Sequence, residues 1–188
     1  MTVEGGSFGH FATQAQAGAR QGDIDAHASL SYAERDGYRE HNESERTNFN
    51  LNAGARINEN ISTRLFFGYT DLAFDVVGPL SRTWMKEDPK QICTGPVGMP
   101  PGPGSCLGPN VLRDDPHREA EQFRIGSRTT ARYGANLFDV GFGYTYTDDS
   151  FTFPISGGVR ETDGGDFTTV LRYAYAPDAS RALPLFEV

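Results

Sequence analysis

The chain has 188 residues, with 17 basic and 25 acidic side chains, a formal charge of −8 and a mean hydropathy of −0.50. No run approaches the ~20 apolar residues of a membrane-spanning helix, and an acidic chain offers little to a nucleic-acid backbone, so neither class is expected. The length fits one domain of ~100–200 residues, but the composition favours Phe, Tyr, Thr and Gly over the Leu, Ile and Val of a packed core.

Residues 1–20 show no basic start followed by an apolar run, so no signal peptide is expected. Alternation of apolar and polar residues begins weakly over Phe11–Ala19. It becomes almost unbroken from Ile24 to Tyr32, where Ile24, Ala26, Ala28, Leu30 and Tyr32 oppose Asp25, His27, Ser29 and Ser31. The same pattern returns at Thr47–Ile57, Ile61–Thr70, Phe123–Tyr133, Phe138–Thr147 and Phe167–Tyr175. Side chains of an extended strand alternate between faces, so these seven segments predict an antiparallel meander with one apolar and one polar face. The closing Leu183-Pro184-Leu185-Phe186-Glu187-Val188 reads as the start of a further strand.

Each segment is expected to run about ten to thirteen residues, where globular strands cluster near ~5–6 and a tilted membrane-crossing strand needs ~9–11. Arg124, Arg128 and Arg132 point to one side of one strand, and Arg64 and Arg172 occupy polar positions of two others. Such a face suits a wet lumen whose opposite side meets lipid. Tyr32, Tyr69, Tyr144, Tyr146, Tyr173 and Tyr175 fall near one end of their apolar faces, as an interfacial girdle would. Gln21-Gly22-Asp23, Asn58-Glu59-Asn60, Gly134-Ala135-Asn136 and Pro177-Asp178-Ala179 are short hairpin signals. They alternate with longer connections at Asp36–Glu45, Leu72 to about Ala120, and Asp148–Gly165. Short turns alternating with long loops is the asymmetry of a bacterial outer-membrane barrel. Such barrels have an even strand number, so seven strands with stubs predict an arc of about 7–8 strands from a larger barrel.

Residues 73–120 are the one long non-strand region, expected on the extracellular side. Ser81 is placed to N-cap a short helix through Asp88, which carries Trp84, the only tryptophan. Cys93 and Cys106, the only cysteines, bracket Pro96, Pro100, Pro101 and Pro103. A disulfide pinning the loop is one reading, requiring an oxidising compartment, and two reduced thiols in a loose insertion is the other. No phosphate-binding glycine loop is present. His10, His27, His41 and His117 lack paired metal-ligand spacing, and no catalytic grouping stands out, so no enzyme, cofactor or metal is expected. The arginine row reads first as a lumen lining paired with acidic neighbours and second as a binding site.

The run Glu4-Gly5-Gly6-Ser7-Phe8-Gly9, followed by Ala28-Ser29-Leu30-Ser31-Tyr32-Ala33-Glu34-Arg35-Asp36-Gly37-Tyr38-Arg39-Glu40-His41, resembles the opening barrel strands of TonB-dependent outer-membrane receptors. Asn50-Leu51-Asn52-Ala53-Gly54-Ala55-Arg56-Ile57-Asn58-Glu59-Asn60 with Thr63-Arg64-Leu65-Phe66-Phe67 is similar to their next hairpin. Val77-Gly78-Pro79-Leu80 resembles the entry to a long loop in the ferric-siderophore type, and Phe153-Pro154-Ile155 a short motif of a later loop. The resemblance implies a 22-stranded transmembrane barrel with an N-terminal plug, importing iron–siderophore complexes or a similar scarce ligand with energy passed through TonB. On that basis residues 1–188 are a partial barrel domain without plug, TonB box or later strands, located in the outer membrane against its lipid. Family ligand contacts do not transfer residue by residue, and Trp84 is only a loop-level candidate. The alternatives are a soluble β-sandwich or adhesin-like binding module, which predicts shorter strands over a packed core, and a small outer-membrane barrel or porin.

Overall fold

The computed structural model of the chain describes residues 1–97, 106–153 and 158–176. Eight strands run in chain order: β1 (Thr2–Gly5), β2 (Phe11–Gln21), β3 (Ile24–Arg35), β4 (Ser44–Arg56), β5 (Ile61–Asp75), β6 (His117–Tyr133), β7 (Asn136–Phe153) and β8 (Gly158–Tyr175). They form one antiparallel sheet in which every neighbour in sequence is a neighbour in space. Two short helices, α1 (Arg82–Glu87) and α2 (Val111–Asp114), lie between β5 and β6. The described residues form no second sheet that could close a sandwich over either face.

The turns have simple local causes. Gln21 pairs with Ile24 and Tyr133 with Asn136, leaving Gly22-Asp23 and Gly134-Ala135 as two-residue turns. Gly22 (φ 60°) and Gly134 (φ 57°) take the left-handed backbone at the first turn position, as a type II′ hairpin requires. At the β4–β5 turn the Asn58 side chain accepts hydrogen bonds from the Asn60 and Ile61 amides, both 2.9 Å. The Pro177-Asp178-Ala179 turn, the closing stub, Pro154-Ile155 and Pro100, Pro101 and Pro103 lie outside the described residues.

Register carries the two-faced pattern intact across the sheet. One row of cross-strand partners reads Ala17, Ala28, Leu51, Phe67, Ile125, Tyr144, Phe167, apolar from β2 to β8. Edge-on ring contacts reinforce this face, including Phe49–Phe67 at 5.8 Å, Phe67–Phe123 at 5.2 Å and Phe142–Phe167 at 4.7 Å. Antiparallel pairing sorts the tyrosines into two belts. Tyr32, Tyr69, Tyr144 and Tyr146 lie toward the long-loop end, whereas Tyr133, Tyr173 and Tyr175 lie at the short-turn end. From Gly165, opposite Tyr146, to Tyr173 is roughly 27 Å along β8 at ~3.4 Å per residue. At the ~40° tilt of barrel strands that length gives a height of roughly 21 Å, somewhat short of the ~25 Å apolar band of a barrel wall.

Three expectations need correction. The strands of the second half are longer than ten to thirteen residues: β5 has 15, β6 17, and β7 and β8 18 each. The long connection is therefore 76–116 instead of 73–120. Between Asp148 and Gly165 the chain is strand down to Phe153 and again from Gly158, which pair with one another. The cause is visible in the rows above the apolar band. Positions on the apolar face turn acidic there, with Asp71, Glu121, Asp148 and Asp163 in one row and Glu34, Glu45, Glu119 and Glu161 in the next. The backbone stays extended while the alternation loses its phase, with Leu72, Phe74, Phe151 and Phe153 on the other face.

Candidate functional site

Two parts of the molecule gather chemistry: the polar face near the short turns, and a cap of loops at the opposite end. On the polar face one row reads Arg20, Asp25, Gly54, Arg64, Arg128, Gly141, Val170. Arg64 and Arg128 are direct cross-strand neighbours, a like-charge pairing that destabilises unless each cation is drawn elsewhere. Arg64 reaches over β4 to Asp25, 2.8 Å away, and donates to Asn52 at 2.6 Å. That reach depends on Gly54, where an added Cβ would lie 2.5 Å from the guanidinium. Arg128 turns the other way and grips Asp139 with two bonds of 2.8 and 2.6 Å, and Thr130 donates a third at 3.3 Å. Asp139 is the one buried charged residue among those described, 5% exposed. Buried carboxylates persist when paired and hydrogen-bonded, and this one is both.

The five arginines expected on the polar face all lie there, but they do not form one site. Arg64, Arg128 and Arg132 border an open hollow of about 640 Å³ together with Arg20, Arg56 and Phe66. Arg172 borders a smaller, more apolar niche of about 370 Å³ with Asp139, Gly141, Gly143 and Val170, and Arg128 and Phe66 line both hollows. Arg124 sits higher, lying across Gly68, whose added Cβ would be 3.4 Å from its Nε. Sequence reading missed Arg20, Arg56 and Phe66. Arg20 and Arg56 end their strands next to turns, a signal that was available. Phe66 breaks the alternation by placing an aromatic ring on the polar face, and that break was the signal.

At the loop end Arg39 fastens two loops together. Its guanidinium donates to the Gly78 carbonyl at 2.8 Å, to Gln91 at 3.0 and 3.2 Å, and to Val77 at 3.4 Å. Burial lowers its pKa from the usual arginine value. Phe8 meets Tyr38 edge-on at 5.4 Å, and the Lys90 ammonium lies 5.8 Å from the Tyr38 ring. His41 Nε2 is 3.2 Å from the Pro116 carbonyl. Phe8, His41 and Asp115, the described non-glycine residues with positive φ, are all in this cap. Such backbone is costly and persists where surrounding contacts fix it.

The long connection has its own small core. Cys93 and Cys106 form a disulfide and are buried with Ile92, Val111, Pro109 and Pro116. Ser81 caps α1, accepting from the Trp84 amide at 3.2 Å, so the expected helix is present over Arg82–Glu87. Asn110 caps α2 by accepting from the Arg113 amide, while Asp114 accepts from the Asn110 amide at 2.9 Å. Arg113 beside Asp114 holds that carboxyl below the usual carboxylate range, and Asp114 in turn raises Arg113. Trp84 is half-buried on α1, and its carbonyl accepts from Gln91 at 2.7 Å. It touches none of the arginines of the polar face in any described bond. Among the described residues no group of three or more His, Cys, Asp and Glu is arranged to hold a metal ion. No protein-family model matches this sequence, and no curated protein matches it.

Proposed function

We propose that this chain is part of the wall of an outer-membrane β-barrel, and that the barrel serves as a TonB-dependent receptor. Its cargo would be a ferric siderophore or a similar scarce ligand, and its energy would pass from TonB through a plug domain. The observation that carries the barrel reading is the continuous apolar face. It runs in register from β2 to β8 and stays uncovered, with Leu171 75% and Phe167 65% exposed. A soluble protein rarely leaves so wide an apolar surface in water, whereas lipid would cover it. The two tyrosine belts and the acidic rows beyond the band fit the same placement. The receptor class and cargo come from the sequence resemblance alone.

The 188-residue polypeptide produced without other segments is expected to collect in inclusion bodies, because two open strand edges and an apolar face invite association. Fractionation and detergent-free size exclusion test this. A soluble monomer with a cooperative thermal transition would overturn the barrel reading in favour of a soluble binding module.

A further inference from the structure

Two Asp-Pro bonds flank the disulfide of the long connection, Asp88-Pro89 and Asp115-Pro116. This linkage is chemically the weakest in a polypeptide. The aspartic side chain can reach its own main-chain carbonyl carbon and close a cyclic anhydride. The nitrogen it displaces belongs to a tertiary amide, which is more basic than an ordinary peptide nitrogen and leaves more easily.

The two bonds stand in different surroundings. Asp88 has extended backbone (φ −149°, ψ 106°), and its carboxylate accepts from the Lys90 amide at 2.9 Å. Asp115 is left-handed (φ 42°, ψ 59°), although a residue before proline is normally pushed to extended backbone. That conformation is held from both sides. The Asp115 amide donates to the Val111 carbonyl at 3.0 Å. The fully buried Pro116 offers its carbonyl to the Val76 amide at 2.8 Å and to His41 Nε2 at 3.2 Å.

His117 adds the chemistry. Its Nδ1 donates to the Asp115 main-chain carbonyl at 2.6 Å and lies 3.7 Å from Oδ2 of the same residue. One N–H thus gathers the attacking oxygen and the carbonyl under attack, and a donor at that carbonyl stabilises the oxyanion that attack creates. His41 Nε2 lies 3.6 Å from Oδ1, and Asp75, 3.9 Å from His41 Nδ1, faces the pair from β5. The Asp115 side chain is 71% exposed, so water reaches it. Among the described residues no histidine bonds or pairs with Asp88.

We propose that Asp115-Pro116 is a self-cleavage site. The protonated Asp115 carboxyl adds to its own main-chain carbonyl carbon, and His117 Nδ1–H stabilises the oxyanion. The C–N bond to Pro116 then breaks, the carboxyl proton passes to the proline nitrogen, and a cyclic anhydride remains. Water opens the anhydride to leave Asp115 with two carboxyl groups, so the net reaction consumes one water and needs no other reactant. After the cut, the connection is joined covalently to the sheet through β5 alone. This goes beyond the membrane reading and does not depend on it.

Asp88-Pro89 serves as the internal standard. The full-length protein, isolated folded from cells, is held at about pH 5, where ordinary aspartic acids keep a protonated fraction, and its fragments are identified by mass spectrometry. The cut after Asp115 is expected to run roughly tenfold or more faster than the cut after Asp88, and in urea the two rates should become equal. Asp115→Asn should abolish the first cut and leave the second. His117→Ala should bring the first cut down to the Asp88 rate, whereas His117→Gln, which keeps an N–H donor, should retain much of the excess. Equal rates in the folded protein, no cut at all, or an excess indifferent to His117→Ala overturns the proposal. So does a cut at the same bond that persists in Asp115→Asn, because a protease would then be making it.

Discussion

Arg39 holds carbonyl groups from two stretches of the same loop, Val77-Gly78 and Gln91, and no other side chain shown here bridges them. A planar fork can serve several acceptors at once, whereas a lysine ammonium reaches fewer and in other directions. Arg39→Lys is therefore expected to orphan at least one partly buried carbonyl, at a cost of about 1–2 kcal/mol to the local fold. Hydrogen exchange should show amides around Gln91–Cys93 opening roughly ten times more often, since 1.4 kcal/mol is tenfold. Unchanged exchange would mean that other contacts carry the cap. Burial lowers the Arg39 pKa, but arginine stays charged across the accessible range, so this clamp is insensitive to pH. Asp114 behaves differently. Its folded pKa lies below the unfolded carboxylate value of ~3.9, so its contribution is complete above that value and is lost as pH falls through the folded one. The α2 cap thus holds at neutral pH and loosens only in acid. None of this could be read from the sequence, where Arg39 looks like any loop arginine and its partners are backbone atoms.

Among the elements, the strands and the long connection obey different physics. The strands were legible wherever the alternation keeps one phase. The same strands continue through Asp71–Asp75, His117–Gln122 and Asp148–Phe153, where the former apolar face turns acidic and Leu72, Phe74, Phe151 and Phe153 fall on the opposite face, so the continuing pattern runs out of phase. β1 has four residues, too few to show a period. The Ser81 cap and the pairing of Cys93 with Cys106 were visible because each depends on a few residues close in sequence. The Arg64–Asp25 bond was not, since it crosses an intervening strand and needs Gly54 to be empty. The disulfide closes a sequence separation of 13 around a core of Ile92, Val111 and prolines. In the chain-entropy model a loop of that size is stabilised by about 3 kcal/mol. Replacing both cysteines by serine, or reducing the bond, is expected to expose the 76–116 connection to protease while the sheet keeps its β-type circular dichroism. Loss of sheet signal together with loop cleavage would show that the loop supports the strands.

For the whole molecule, the decisive property is that eight strands share two faces and bury almost nothing between them. An exposed leucine replaced by arginine in a soluble protein changes stability by no more than ~0.5 kcal/mol. The same change in a lipid-facing band costs about 2–4 kcal/mol at its middle and less toward its edges, so at Leu171, one row from the Tyr173 belt, part of that cost applies. Leu171→Arg and Val170→Arg place the same charge on opposite faces of one strand. The first is expected to lower the amount of protein assembled in outer membranes several-fold, and the second to leave assembly near normal. Membrane fractionation with immunoblotting measures both, and equal effects would mean that the faces do not differ in what they meet.

The connection between β5 and β6 has a consequence for how the sheet comes together. Where the described turns join neighbouring strands directly, as at Gly22-Asp23 and Gly134-Ala135, pairing can zip as soon as a hairpin emerges. β5 and β6 must instead find each other across residues 76–116. A connection about twenty times longer adds roughly 2.7 kcal/mol of closure entropy. Assembly is therefore expected to have a seam, with β1–β5 and β6–β8 able to form as two separate meanders that dock last along Ile61–Asp75. A closed Cys93–Cys106 bond removes part of the wandering length before that search begins, so oxidation of one loop is expected to speed the joining of two halves of a sheet it never enters.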